Sequence, residues 1–138
     1  LCFEMTEAAL ARDRETAGRV LVPLCEEGVA LSLDDFGSGP SSLELLRDFP
    51  VAYIKIDRSL VSRLTRDRKS ALIVQGIIDM ARLLGVSAVA KGVETVEQKD
   101  MLARMGCPLL QGFCLDKPLE AGEFARKYAN NRPGAGGM

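Results

Sequence analysis

The chain has 138 residues, 47% of them hydrophobic, with a formal net charge of −1. That is the size and make-up of one globular domain or part of a larger one; so small a charge offers no attraction to duplex nucleic acid or an anionic membrane, and no apolar run approaches the roughly 18 residues a membrane span needs. Histidine is absent, which excludes a Ser-His-Asp triad and a His-ligated zinc, so any chemistry must run on carboxylates, lysines, amides or a metal they hold.

The N-terminal residues 1–5 read as a strand that ends among Glu4, Thr6 and Glu7. A helix is predicted over 14–27, with Ala17, Val20, Leu21 and Leu24 inward and Gly28 as its stop. The second strand, 29–33, runs straight into the adjacent carboxylates Asp34 and Asp35, then into a glycine-bearing turn through Phe36, Gly37, Ser38 and Gly39. Like charges this close raise each other's pKa, a cost that a hard divalent cation removes. Alone, such a pair also reads as an exposed acidic turn before a helix. Ser41 or Ser42 caps a short helix over 43–48, which Pro50 ends.

The third strand, 53–57 (YIKID), places Lys55 and Asp57 on one face and Ile54 and Ile56 on the other. A long helix over 67–84 carries the stripe Ile73, Ile77, Met80, Ala81 and Leu84, and Gly85 stops it. A fourth strand, 87–91, leads into Gly92, Val93 and Glu94. Thr95 and Gln98 form a capping box for the helix that ends near Met105. A fifth strand over 109–115 carries Gln111 and Gly112, and a last helix spans 120–129. The tail, 132–138, is rich in Pro and Gly and reads as a flexible extension of a domain ending at 131.

Strands that alternate with helices make a parallel sheet, either doubly wound or closed as a (β/α)8 barrel. Glu4, Asp34, Asp35, Lys55, Asp57, Lys91, Glu94 and Gln111 all fall at or near the C-terminal ends of successive strands. A barrel gathers those ends into one site. The expectation is an α/β, TIM-type barrel with about five of its eight units present. The four cysteines, Cys2, Cys25, Cys107 and Cys114, show no C-x-x-C pair and no secretory signal precedes them, which suits reduced thiols in the cytoplasm.

Five segments in order, FEMTE, LDDFGSGPSSL, YIKIDRSLV, AVAKGVET and QGF…KP, resemble the EAL domain family over roughly residues 1–120. The resemblance implies a Mg²⁺- or Mn²⁺-dependent phosphodiesterase that hydrolyses bacterial cyclic-di-GMP to a linear dinucleotide. It further implies metal ligands at Glu4 and Asp34, with Asp35 in a two-metal site, and a catalytic Lys55 beside the attacking water. Asp57 is then the same-face neighbour of Lys55, Glu94 and Gln111 support the metals and line the pocket, and Glu7 anchors the loop 36–42, which couples metal, substrate and a homodimer. Taken singly, Lys55 with Asp57 also reads as an interior ion pair, Glu94 as a helix N-terminal charge, and Gln111 as a core amide.

Three departures qualify the resemblance. The Glu-Ala-Leu signature and an asparagine ligand would lie upstream of residue 1, so the chain by itself is expected to be inactive. The strand that usually ends Ala-Glu-Gly-Val-Glu reads AKGVE, which puts Lys91 where a catalytic glutamate belongs. That is a swing of two charge units, each unit pair worth roughly 4 kcal/mol at about 4 Å and an effective dielectric of about 20. Pro40 stands where the loop usually carries tyrosine. The expected function is therefore a degenerate domain that binds cyclic-di-GMP or regulates attached signalling domains. An active phosphodiesterase and a ligand-free interaction domain are the alternatives.

Overall fold

The computed structural model describes residues 1–38 and 43–112. Five strands, β1 (Cys2–Thr6), β2 (Ala30–Phe36), β3 (Val51–Ile56), β4 (Ser87–Lys91) and β5 (Leu109–Gln111), lie in chain order with every neighbouring pair parallel. Parallel neighbours need a crossover, and helices supply each one. These are α1 (Glu7–Arg12) with α2 (Arg14–Glu26), α3 (Leu43–Asp48), α4 (Arg58–Ser62) with α5 (Arg68–Leu84), and α6 (Val96–Arg104). A doubly wound sheet reverses its strand order at a switch point; this sheet does not, as a barrel wall requires.

Alternation along each strand sorts the side chains into two faces. Leu31, Leu33, Ile54, Ile56, Ala88 and Ala90 occupy one face and are fully or almost fully buried, against Leu10, Leu21, Leu45, Val61, Val74, Ile78 and Leu102. Burying each Leu or Ile contributes about 1.5–3 kcal/mol, so this layer holds the helices to the sheet. The opposite face carries Glu4, Ser32, Asp34, Tyr53, Lys55, Val89 and Lys91, with Glu4 in register with Ser32 and Lys91 with Gln111. Polar groups are thereby kept out of the hydrophobic layer and concentrated inside the arc.

The helices expected among the described residues form, with the buried faces of α2 and α5 turned. In α2 only Leu21 is buried, whereas Val20 and Leu24, expected inward, are exposed. In α5 the buried set is Ser70, Val74, Ile77, Ile78 and Ala81, and Ile73 and Leu84 are exposed. Each helix is apolar over a wider arc than its contact with the sheet, so spacing alone does not fix the angle. Gly85 ends α5 in a left-handed conformation, φ 71°, its N–H donating to Ala81 O and Arg82 O. Strand β3 begins at Val51, two residues earlier than expected. Two short helices, α1 capped by Thr6 and α4 capped by Asp57, were not anticipated; they span six and five residues, too short for a helical period to register. Gly39, Pro40, Ser41 and Ser42, residues 113–115 of the expected last strand, the helix expected over 120–129 and the expected tail fall outside the described residues.

The capping box at α6 is present: Gln98 N donates to Thr95 Oγ1 at 3.1 Å, and Thr95 N donates back to Gln98 Oε1 at 3.2 Å. Gln98 Oε1 also accepts from Glu94 N at 2.8 Å, and its Nε2 donates to Val61 O at 3.4 Å. Thr95→Ala is expected to cost about 1 kcal/mol in denaturant unfolding. Gln98→Ala should cost more, because three backbone groups lose a partner. Ile54→Ala, at a fully buried sheet position, should cost about 2–5 kcal/mol in the same measurement; a loss under half a kcal/mol would show that this layer does not hold the fold.

Candidate functional site at the strand ends

The site begins with a break in β2. Its pairing with β3 slips between Leu33 and Phe36, and Asp35 takes a left-handed conformation with φ 54°, uncommon for any residue but glycine. Asp tolerates this better than most residues because its short side chain bonds locally. Here Asp35 N donates to Asp34 Oδ1 at 3.0 Å. In a regular strand two adjacent side chains face opposite ways. The kink brings both carboxylates to one cation: Lys91 Nζ donates to Asp34 Oδ1 at 2.6 Å and to Asp35 Oδ1 at 3.3 Å.

A second pair stands beside the first. Lys55, on β3, donates to Glu4 Oε1 on β1. Partial burial works against the charge on Asp34, but the hydrogen bonds from Lys91 and the Asp35 amide and the positive charges of Lys91 and Lys55 outweigh it. They hold the carboxyl below the usual carboxylate range. The hydrogen bond to Asp34, aided by Asp35 and opposed by desolvation, holds the Lys91 ammonium above the ordinary lysine value. Three carboxylates and two ammoniums thus share one polar mouth, and the Lys91 and Asp34 side chains are only 26% and 24% exposed.

The other expected site residues are placed variously. Asp57 follows β3 and caps α4, its Oδ2 accepting from Ser59 N at 3.0 Å and from the Ser59 hydroxyl. Glu94 pairs with Arg58 at 2.6 Å. Gln111 is exposed, in register with Lys91, and its carbonyl accepts from Val93 N at 3.0 Å. Glu7 is buried at the start of α1; burial pushes its carboxyl up, and its Oε1 has no hydrogen-bond partner among the described residues. In the turn after Phe36, Ser38 N donates to Asp35 O at 3.2 Å, and Gly37 has φ 92° with Leu60 where a Cβ would sit.

Sequence reasoning missed Arg58. Its stem lies where a Cβ on Gly92 would come within 2.5 Å, so it fills the space under the turn that follows Lys91. The one available signal was its place directly after YIKID. By sequence Gly112 is only a strand residue, yet a Cβ there would fall 2.2 Å from Val93 O. Only glycine lets β5 pass that close to the turn after β4.

The donor chemistry of Glu4, Asp34 and Asp35 suits a hard divalent cation. The arrangement does not fit two such cations. Lys91 already stands between Asp34 and Asp35 at hydrogen-bond distance from both, and Lys55 holds Glu4. Among the described residues no group of three His, Cys, Asp or Glu side chains converges on one point. No described helix is long and apolar enough to cross a membrane, and Cys2, Cys25 and Cys107 are free thiols.

The sequence and the fold both resemble those of other proteins. MucR of Pseudomonas aeruginosa, a bifunctional diguanylate cyclase/cyclic di-GMP phosphodiesterase, is 40% identical over 129 residues, 94% of this chain and 19% of that protein. The MucR phosphodiesterase solved with c-di-GMP superposes with a TM-score of 0.84 at 41% identity, over 90% of this chain and 50% of that one. Klebsiella pneumoniae BlrP1, solved with cyclic-di-GMP and calcium or manganese, gives TM-scores of 0.76 and 0.77 at 36% identity, over 81% of this chain and 28% and 29% of those chains. This chain therefore spans about a fifth of the curated relative and half or less of these solved chains. The EAL domain family model matches residues 1–118. This chain belongs to the EAL domain family, and its described residues form four β/α units and a fifth strand of that family's barrel.

Proposed function

We propose that the protein carrying this chain binds cyclic-di-GMP at this mouth with impaired hydrolysis, as a cytoplasmic regulatory domain of a larger signalling protein. The reading rests on one observation, the Lys91 ammonium bonded to both Asp34 and Asp35. A glutamate there would add a third negative charge beside the aspartates; lysine adds a positive one, and the attraction for a second cation turns to repulsion. Glu4 and Asp34 keep oxygens of the kind Mg²⁺ or Mn²⁺ takes, whereas the second ion of a two-metal site has lost its place.

The remaining residues support binding more than bond cleavage. Lys55 supplies positive charge for a phosphodiester beside Glu4, while Glu94 and Gln111 border the pocket. Glu7 and the loop of Phe36, Gly37, Ser38 and Gly39 are the segment through which the site would communicate with a homodimer partner. Among the described residues Glu7 Oε1 has no hydrogen-bond partner, which supports that role, because a buried carboxyl oxygen left unpaired is costly.

Turnover of cyclic-di-GMP by the whole protein, with Mg²⁺ and then Mn²⁺, tests the reading. The parent should be silent and should bind the dinucleotide at tens of micromolar or better, an affinity of about −6 kcal/mol or stronger. Lys91→Glu should raise turnover by about 100-fold or more over the parent's background, the scale on which one electrostatic group at a reacting centre acts. Hydrolysis by the parent that disappears in Asp34→Ala would establish a working phosphodiesterase instead. A folded parent with no dinucleotide binding would point to a ligand-free interaction domain.

A further inference from the structure

The lysine at position 91 does more than remove a carboxylate. Strands β2 and β4 are not neighbours; β3 lies between them, so their backbones stand roughly 9–10 Å apart at the usual strand spacing. Lys91 reaches across that gap to both aspartates of β2. It meets one oxygen of each, as an ion shared by two carboxylates would. The aspartates it joins are the ones whose chain is bent out of strand geometry, with Asp35 at φ 54°. A bend of this kind persists only where its surroundings over-determine it. The Asp34–Asp35 contact and the Ser38 N–H on Asp35 O are local restraints, and the ammonium adds one from a distant strand.

We propose that Lys91 is a tethered cation: its ammonium takes the place a divalent ion would hold between Asp34 and Asp35, and it fastens β2 to β4 over the end of β3 without a metal. The inference rests on the reading of this mouth as an EAL-type site, but it concerns order and ion uptake, not turnover. A tethered ammonium neutralises one unit of charge where a divalent ion would neutralise two. With Lys55 beside Glu4, the five groups then sum to one negative charge, little enough to stand without an ion. The mouth is thereby built before any ligand arrives, which lowers the ordering cost of binding.

Mn²⁺ uptake by the whole protein, followed by the electron-spin-resonance signal of the free ion, reads the proposal directly. Lys91→Glu should take up one more Mn²⁺ per chain than the parent, and Lys91→Glu/Asp35→Asn should lose that additional ion. In the parent, Asp35→Asn should leave Mn²⁺ uptake unchanged. Lys91→Ala without metal should melt about 2–8 °C below the parent, the range one lost kcal/mol or so produces in a domain of this size. Equal uptake by the parent and a folded Lys91→Glu overturns the proposal, and so does any loss of Mn²⁺ from the parent on Asp35→Asn. Should Lys91→Glu not fold, the parent and its Asp35→Asn variant still decide the matter. Turnover by the parent would end the proposed function and leave this inference standing; equal uptake would end this inference without creating turnover.

Discussion

A strand throws successive side chains to opposite faces, and this structure depends on one breach of that rule. Along β1, β3 and β4 the alternation is kept, so the hydrophobic layer lies outside the arc and the polar groups inside it. At the end of β2 it fails by design of the sequence: Asp35 bends left-handed and follows Asp34 to the same side. Without that bend only one of the two carboxylates would reach Lys91, and the other would face the apolar layer, where an unpaired charge costs several kcal/mol. The bend, the ion pair and the separation of core from mouth are therefore one arrangement.

The charges in the mouth are arranged to cancel locally. Lys91 answers Asp34 and Asp35, Lys55 answers Glu4, and Arg58 answers Glu94 at the rim. Partners drawn from different strands make these pairs long-range ties as well as charge compensation: Glu4 and Lys55 are 51 residues apart, Asp34 and Lys91 57. Exposed pairs such as Arg58–Glu94 contribute little to stability. The half-buried Lys91 pairs matter more, since removing one partner leaves the others desolvated and uncompensated.

Much of this was legible in the residues. The period-2 alternation of Ile54–Lys55–Ile56 and the acids at strand ends gave the barrel and its polar face, and the Thr95–Gln98 spacing gave the capping box. The oddity of Lys in AKGVE was visible too. Its reach was not, because a contact between residues 34 and 91 depends on how far the sheet curves across β3, which no local pattern encodes. Asp57 was assigned by its face along the strand, but β3 ends at Ile56 and the residue caps α4. The buried arcs of α2 and α5 escaped for a related reason: helices apolar over a wide angle leave their rotation to tertiary packing.

Lysine and glutamate codons differ by a single purine at their first position. If the ammonium at position 91 stands in for an ion, the passage between a metal-free mouth and a metal-seeking one is a single transition mutation, open in either direction. The intermediate need not be an unfolded protein, because each form supplies its own counter-charge to Asp34 and Asp35: an amine carried by the gene product, or an ion drawn from solution. The barrel can thus pass between the two forms without rebuilding the sheet, and the supply of divalent metal decides which form is the more stable.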